Sequence, residues 1–190
     1  MMPADDELLA PIPITTARLE LTTFTPRAMR ATLGTDLATV ADDLDAEVPS
    51  DLRERLGELF AMRIDQVIAD PASIVWLARA MVYTDPATGR RRMVGSVGFH
   101  APPDGTPPTV ELGYHVEPGF RRQGYATEAV RAMLDWAAGQ GTHRFRASVG
   151  PTNAASLATV AGFGFRQVGS RWDEIDGEEL VFETDWPPPI

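Results

Sequence analysis

The stretch 110–139, VELGYHVEPGFRRQGYATEAVRAMLDWAAG, constrains the fold of this chain more than any other part of it. Val110, Leu112, Tyr114 and Val116 alternate with Glu111, Gly113, His115 and Glu117, a period of two that predicts a strand with one apolar face. Pro118 and Gly119 end that strand. After a loop, Arg121-Arg122-Gln123-Gly124, the period changes. Ala126, Ala129, Val130, Met133, Leu134 and Ala137 fall on one stripe of a helix, with Thr127, Glu128, Arg131 and Asp135 opposite, and Gly139 and Gly141 supply the stop.

A strand, a glycine-containing loop and a helix N-terminus together make an anion site. The first N–H groups of the helix lack intrahelical partners, and its dipole is positive there. Gly124 and the small Ala126 allow close approach to the backbone, and Arg121 and Arg122 add charge. The loop matches neither the dinucleotide-binding GxGxxG pattern nor the phosphate-binding GxxxxGK[ST] pattern.

What surrounds this unit limits the function classes. The 190 residues are enough for one domain with a real core. The absence of cysteine excludes a disulfide framework and thiolate chemistry. No run approaches the roughly 18 apolar residues that span a bilayer, and MMPADDELLAPIP lacks a basic leader region, so no membrane role and a cytoplasmic location are expected. A net charge of −10 argues against a nucleic-acid partner. It also means that a polyanionic ligand must be held by local N–H groups and arginines. No His/Asp/Glu spacing suggests a metal site.

In chain order, residues 1–16 read as a loose arm and 17–190 as a single domain. A strand is expected at 18–24, followed by a helix from Pro26 to about Leu33, capped by Thr25, and a second short helix to about Asp45. A long helix runs from the cap at Ser50-Asp51 to about Ala69, with Leu52, Leu56, Leu59, Phe60, Ile64, Val67 and Ile68 inward. Strands follow at 74–83, 93–100, 110–117 and 143–149, then a helix at 153–162. Two last strands, 165–175 and 178–184, are turned by Asp176-Gly177. Met62, Trp76 and Trp136 read as core, while Trp172 suits either a cleft or a sheet margin. The pattern predicts an α/β fold of the α+β type: a mixed, mostly antiparallel sheet of six to seven strands with helices on both faces. Strands 110–117 and 143–149 flank a crossover helix and should be parallel.

Three features together resemble one family. Arg121-x-x-Gly124-x-Ala126 looks like the acyl-CoA pyrophosphate loop of the GNAT N-acetyltransferases. Asn153-x-x-Ser156, followed by Gly164-Phe165, is similar to their N-x-x-S…G-F segment. Arg18-Leu-x-Leu, Glu111-x-Gly-Tyr114 and Gly124-Tyr-Ala-x-Glu128 extend the likeness over most of the chain, toward the branch of ribosomal-protein N-terminal acetyltransferases of the RimJ/RimL type. The resemblance implies acetyl-CoA as co-substrate, a primary amine as acceptor, no metal, and a monomer or homodimer. It places the pyrophosphate on amides of Arg122, Gln123, Gly124, Tyr125 and Ala126, beside Arg121. The pantetheine arm would run against Tyr114, His115 and Val116 in a splay between strands 110–117 and 143–149, with Asn153 bonding it and Ser156 near the sulfur. One departure stands out. Many members carry a tyrosine, as acid for the leaving thiolate, where this chain has Val160.

Acetylating an amine requires a neutral nucleophile. A lysine amine, with a pKa of about 10.4, is almost wholly protonated at neutral pH, whereas an α-amine at about 7.7–8.0 is roughly a tenth neutral. Glu111, on the polar face of the strand beside the expected cleft, is the candidate base, acting directly or through water, and Ser156 the candidate proton donor. Backbone near Tyr114 would polarise the carbonyl. His115 and His100 suit either this face or a strand end bonded to backbone, and Glu117 suits solvent. Between Asp36 and Asp70 lie ten acidic residues against three arginines, either a solvated face or an acidic lip for a cationic acceptor. Two alternatives stay open: a catalytically silent CoA-binding module, and an enzyme using a longer acyl-CoA.

Overall fold

The computed structural model describes residues 11–174 and 177–188. Its frame is one eight-stranded sheet in the order β1-β2-β3-β4-β5-β6-β8-β7. The strands are β1 (Ile14–Thr15), β2 (Leu19–Thr23), β3 (Arg79–Thr84), β4 (Arg91–Phe99), β5 (Thr109–Val116), β6 (Arg144–Val149), β7 (Arg166–Asp173) and β8 (Gly177–Asp185). Every neighbouring pair is antiparallel except β5 and β6. The extra strand relative to the sequence expectation is β1. Ile14 and Thr15 pair with Leu21 and Glu20, so residues 14–15 of the expected loose arm are sheet, while residues 1–10 lie outside the described residues. Two residues carry too little periodicity to announce a strand.

Helices cover both faces. α1 (Pro26–Leu33), α2 (Leu37–Leu44) and α3 (Leu52–Ala69) bury Phe24, Met29, Val40, Leu44, Leu52 and Phe60 against Ala80, Val82 and Met93 of the sheet. α4 (Tyr125–Gly139) and α5 (Ala154–Gly162) lie with the other core, where Ala129, Val130, Met133, Leu134 and Ala137 meet Val97, Phe99, Val110, Leu112 and Phe145. The alternation of β5 is therefore real: Val110 and Leu112 are buried toward α4, and their neighbours face the α3 side.

Some expectations fail for identifiable reasons. The strand predicted at 74–83 begins only at Arg79. Asp70 accepts a bond from Ala72 N–H, and Pro71 opens a 3₁₀ turn over Pro71–Val75. Within α3, Ile68 is 53% exposed and Met62, read as core, is 57% exposed. Of the two buried positions between them, Val67 is apolar, but the other is Arg63, whose guanidinium donates to the His100 carbonyl and Gln66 Oε1. Trp76 and Trp136 pack edge to face at 4.8 Å beside the α4 core. Trp172 is 77% exposed on the outermost strand. Ile175 and Asp176 lie outside the described residues, so the predicted Asp176-Gly177 turn does too, although β8 starts at Gly177 with φ +78°.

The feature that positions the site is the brevity of the parallel contact. β5 and β6 share three pairs, Thr109 with Arg144, Val110 with Phe145 and Glu111 with Arg146. Beyond Glu111 they part. β5 follows β4 until Val116 faces Gly95, and β6 follows β8 until Val149 faces Leu180. A wedge opens between them with Glu111 at its apex.

Candidate active site

The wedge leads into a cleft of about 540 Å³, within the range of small-molecule sites. Its walls bring together Tyr114, His115 and Val116 from β5, Arg121, Arg122, Gly124, Tyr125 and Ala126 from the loop and the start of α4, and Asn153 and Ser156 from the start of α5. Ten of the eleven residues singled out for binding from sequence thus line one cavity. The exception is Gln123, whose carbonyl accepts from Arg18 Nη1 at 2.9 Å on the outside of the loop. Phe120, Thr127, Ala155 and Thr159 complete the lining.

The loop conformation follows from two left-handed residues, Arg122 at φ +61° and Gly124 at φ +84°. Gly124 is the N-cap of α4 and provides no side-chain cap, so the first-turn N–H groups stay open toward the cleft. A Cβ at Gly124 would add left-handed strain and come within 3.3 Å of Arg18 Nη2.

The loop is held by a clamp that sequence reading did not find. Glu128, one turn into α4, accepts from Thr16 Oγ1 at 2.6 Å, from the Arg18 backbone N–H at 2.7 Å and from Arg18 Nε at 2.7 Å. The Arg18 guanidinium lies 4.6 Å from the centre of the Tyr125 ring. Burial alone would raise the Glu128 pKa, but the bonds from Thr16 and Arg18 outweigh it and hold the carboxyl below its ordinary value. Arg18 and Glu128 both sat in the motifs noted above. What was missing was the recognition that a cation and an anion 110 positions apart partner each other.

On the second wall, Asn153 Oδ1 caps α5 by accepting from Ser156 N–H at 3.1 Å. The Tyr114 hydroxyl reaches 3.4 Å from the Ser156 carbonyl, so a β5 side chain crosses the wedge toward α5. Val160 is 2% exposed in the α4 core, which removes that position from any part in proton transfer.

Glu111 does not line this cleft. It lines a second cavity of about 540 Å³ with His100, Asp104, Arg144, Arg146 and Glu183. Its Oε1 accepts from Ser148 Oγ at 2.8 Å and Arg171 Nη2 at 2.9 Å, and its Oε2 accepts from Arg171 Nη1 at 3.2 Å. Both oxygens are engaged, which sequence could not reveal because Arg171 comes from β7. Farther along the same face Glu117, expected in solvent, is 8% exposed and pairs with Arg55 of α3. Arg55 also bonds Asp51 at 2.5 Å and lies 3.4 Å from His115 Nε2. Burial holds the His115 pKa below its ordinary value, with Arg55 and Arg121 adding to the effect and Glu117 and Asp51 opposing it. This knot borders an apolar cavity of about 180 Å³ over Leu52, Leu56 and Met93.

Among the described residues no group of three or more His, Asp or Glu could hold a metal ion, and no helix is long and apolar enough to cross a membrane. The family model for the acetyltransferase (GNAT) domain matches residues 18–166. No curated protein sequence matches the chain. Among solved structures it is similar to the microcin C7 self-immunity acetyltransferase MccE in complex with acetyl-CoA and AMP, at 17% identity and TM-score 0.62 over 95% of this chain and 99% of that one. Mycobacterium smegmatis RimJ in complex with CoA-disulfide is 21% identical, with TM-score 0.61 over 93% and 88%. RimL, the ribosomal L7/L12 alpha-N-protein acetyltransferase, is 17% identical, with TM-score 0.58 over 92% and 93%. At these identities the likeness is one of fold.

Proposed function

We propose that this chain, which belongs to the GNAT acetyltransferase family, moves the acetyl group of acetyl-CoA to a primary amine by direct attack within a ternary complex. The family fixes the coarser part: an acetyltransferase dependent on acyl-CoA, with acetyl-CoA as its co-substrate. The finer part, the acceptor, is read from this chain. It is a protein N-terminus or a small cationic amine.

The observation that carries the reading is the wedge beyond Glu111, where two strands leave main-chain groups facing a cleft that ends at an open helix N-terminus. Bound there, acetyl-CoA supplies an activated thioester. The amides of residues 122–126 and the start of α4 hold its pyrophosphate, and β5 from Tyr114 to Val116 receives the pantetheine arm as a third strand. The thioester then lies toward the wedge apex, where Glu111 stands. Ser156, on the far wall, supplies a hydroxyl for the departing sulfur. The ten lining residues support this arrangement because they come from three separate elements, β5, the loop with the start of α4, and the start of α5.

Support for a cationic acceptor comes from the net charge of −10. The acidic segment 36–70 contributes less than its composition suggests. Asp43, Asp45 and Glu47 are paired with Arg27, Arg91, Arg90 and Arg92, all from outside it. An α-amine suits the site better than a lysine amine, since its lower pKa demands less of a base. The test compares kcat/KM for peptides beginning Ala-Arg-Arg and Ala-Glu-Glu, and for spermidine, at two ionic strengths. The basic peptide should be preferred, and the preference should shrink with salt. Equal use of the two peptides, or a ratio that ignores salt, would sink the cationic reading.

A further inference from the structure

We infer that His100, and not Glu111, is the group that takes the proton from the attacking amine, with Glu111 as the residue that orients its imidazole; this rests on the acetyl-transfer reading above. His100 directly follows the end of β4, and the chain there is fixed twice. Its N–H donates to the Glu111 carbonyl at 2.8 Å, and its own carbonyl accepts from Arg63 and Gln66. The side chain is half-exposed and opens into the second cavity, on the face of the sheet away from α4.

Two distances give the ring its orientation. Nδ1 lies 3.8 Å from Glu111 Oε1. Nε2 points the other way, onto β5, and a Cβ built on Gly113 would stand only 2.9 Å from it. Gly113 is two residues past the last β5–β6 pair, where the wedge has just opened. The imidazole nitrogen that does not face the carboxylate therefore lies against the backbone at the head of the wedge, in a space that exists because residue 113 has no side chain. An amine that reaches the wedge from this face meets Nε2 where β5 and β6 part. Glu111 is badly placed for the same task, with both oxygens engaged by Ser148 and Arg171.

The charges facing the ring set its protonation. Burial disfavours the imidazolium and holds the His100 pKa below its ordinary value. Arg63 of α3 and Arg171 of β7 act in the same direction, while Glu111 of β5 and Glu179 of β8 oppose them. Asp104, Arg144, Arg146 and Glu183 line the rest of the cavity. A ring with a lowered pKa is neutral, and so able to accept, at neutral pH. In the step itself the amine nitrogen bonds to the carbonyl carbon, its proton passes to Nε2, and the C–S bonding pair leaves with sulfur. The imidazolium then returns the proton, through water and the Ser156 hydroxyl, to the thiolate, giving amide and free CoA.

The experiment has two arms. In the first, nitrogen-resolved NMR of the ligand-free protein reads the tautomer of His100, assigned by comparison with His100→Gln. The neutral ring should carry its proton on Nδ1, and in Glu111→Gln its pKa should fall, because a charge that raises it has been removed. A neutral ring protonated on Nε2 would overturn the inference whether or not an acceptor is known. The second arm measures kcat against pH with acetyl-CoA and the peptide beginning Ala-Arg-Arg, or spermidine if that is the better substrate. His100→Gln should lower kcat on the order of 10²-fold, leave the KM for acetyl-CoA similar and abolish the acid limb set by the imidazole. Glu111→Gln should keep that limb, moved to lower pH. The reverse outcome, a limb lost in Glu111→Gln and kept in His100→Gln, makes the carboxylate the base. Absence of turnover with every amine would count against the acceptor reading alone, and the tautomer would still decide the role of His100.

Discussion

The two ends of the wedge are built from different materials. In the proposed complex the CoA end is backbone: the N–H groups of residues 122–126 and of the first turn of α4, shaped by left-handed residues at 122 and 124 and supplied by one continuous stretch of chain. In the proposed complex the acceptor end is side chains: His100 just past β4, Glu111 from β5, Ser148 from β6, Arg171 from β7 and Arg63 from α3. A backbone site tolerates changes of side chain but not of backbone shape. A side-chain site is sensitive to single charges and contributes little to stability where it is exposed. Each property can be tested.

The hardest blow to the backbone end is Gly124→Val. A β-branched residue at φ +84° costs about 1–2 kcal/mol in strain and also blocks close approach of a phosphate. CoA affinity should fall on the order of 10²-fold, as read by titration calorimetry, with the far-ultraviolet circular dichroism unchanged. Normal affinity would mean that the loop does not hold the pyrophosphate.

Next is the clamp behind the loop. Glu128→Gln removes a charge that accepts three bonds and should cost about 1–3 kcal/mol in urea unfolding at neutral pH. The sign of its pH dependence follows from the depressed carboxyl. The stabilisation is fully present above the ordinary glutamate value of 4.5 and is lost as pH falls through the lower folded value. The gap between wild type and variant should therefore be constant near neutrality and close in acid. A gap that shows no narrowing as pH falls below 4.5 would assign the clamp to packing instead of charge.

Arg122→Ala sharpens the comparison from the tolerant side. With the helix N-terminus still in place, CoA binding should weaken by only about 0.5–2 kcal/mol. The smallest stability effect is expected at the acceptor end. The Arg171 side chain is 41% exposed, so Arg171→Met should change the unfolding free energy by less than about 1 kcal/mol. Turnover should nonetheless drop, because Glu111 loses the guanidinium that fixes it. A variant that loses stability and keeps its kcat would reverse the contrast drawn here.

The same division explains what could be read from the sequence. The loop, the α4 stripe and the alternation of β5 are local, and a period or a glycine announces each within a few positions. The start of α5 at Asn153 is equally local, although its cap, Oδ1 accepting from Ser156 N–H, came only with the structure. The acceptor end depends on partners brought together only by the sheet. Glu111 meets Arg171 across 60 positions, and Glu117 meets Arg55 across 62. A carboxylate that looks solvated in sequence becomes buried once the opposing cation is folded against it. β1 was missed because a two-residue strand has no period to detect.

The parting of β5 and β6 has a consequence for how the protein behaves without its ligand. A sheet ordinarily exposes main-chain hydrogen-bonding groups only along its two outer margins, and natural proteins guard those margins against adding a foreign strand. Here a third and a fourth margin lie inside the sheet, one on β5 beyond Glu111 and one on β6 beyond Arg146. They form a template of matching length for any extended chain, and strand addition of this kind is a common mode of peptide capture. In the proposed complex the pantetheine arm, with its own amides, occupies this template. In its absence the template is open to the tail of a substrate peptide or to a neighbouring molecule, so the co-substrate acts also as a guard against misassociation.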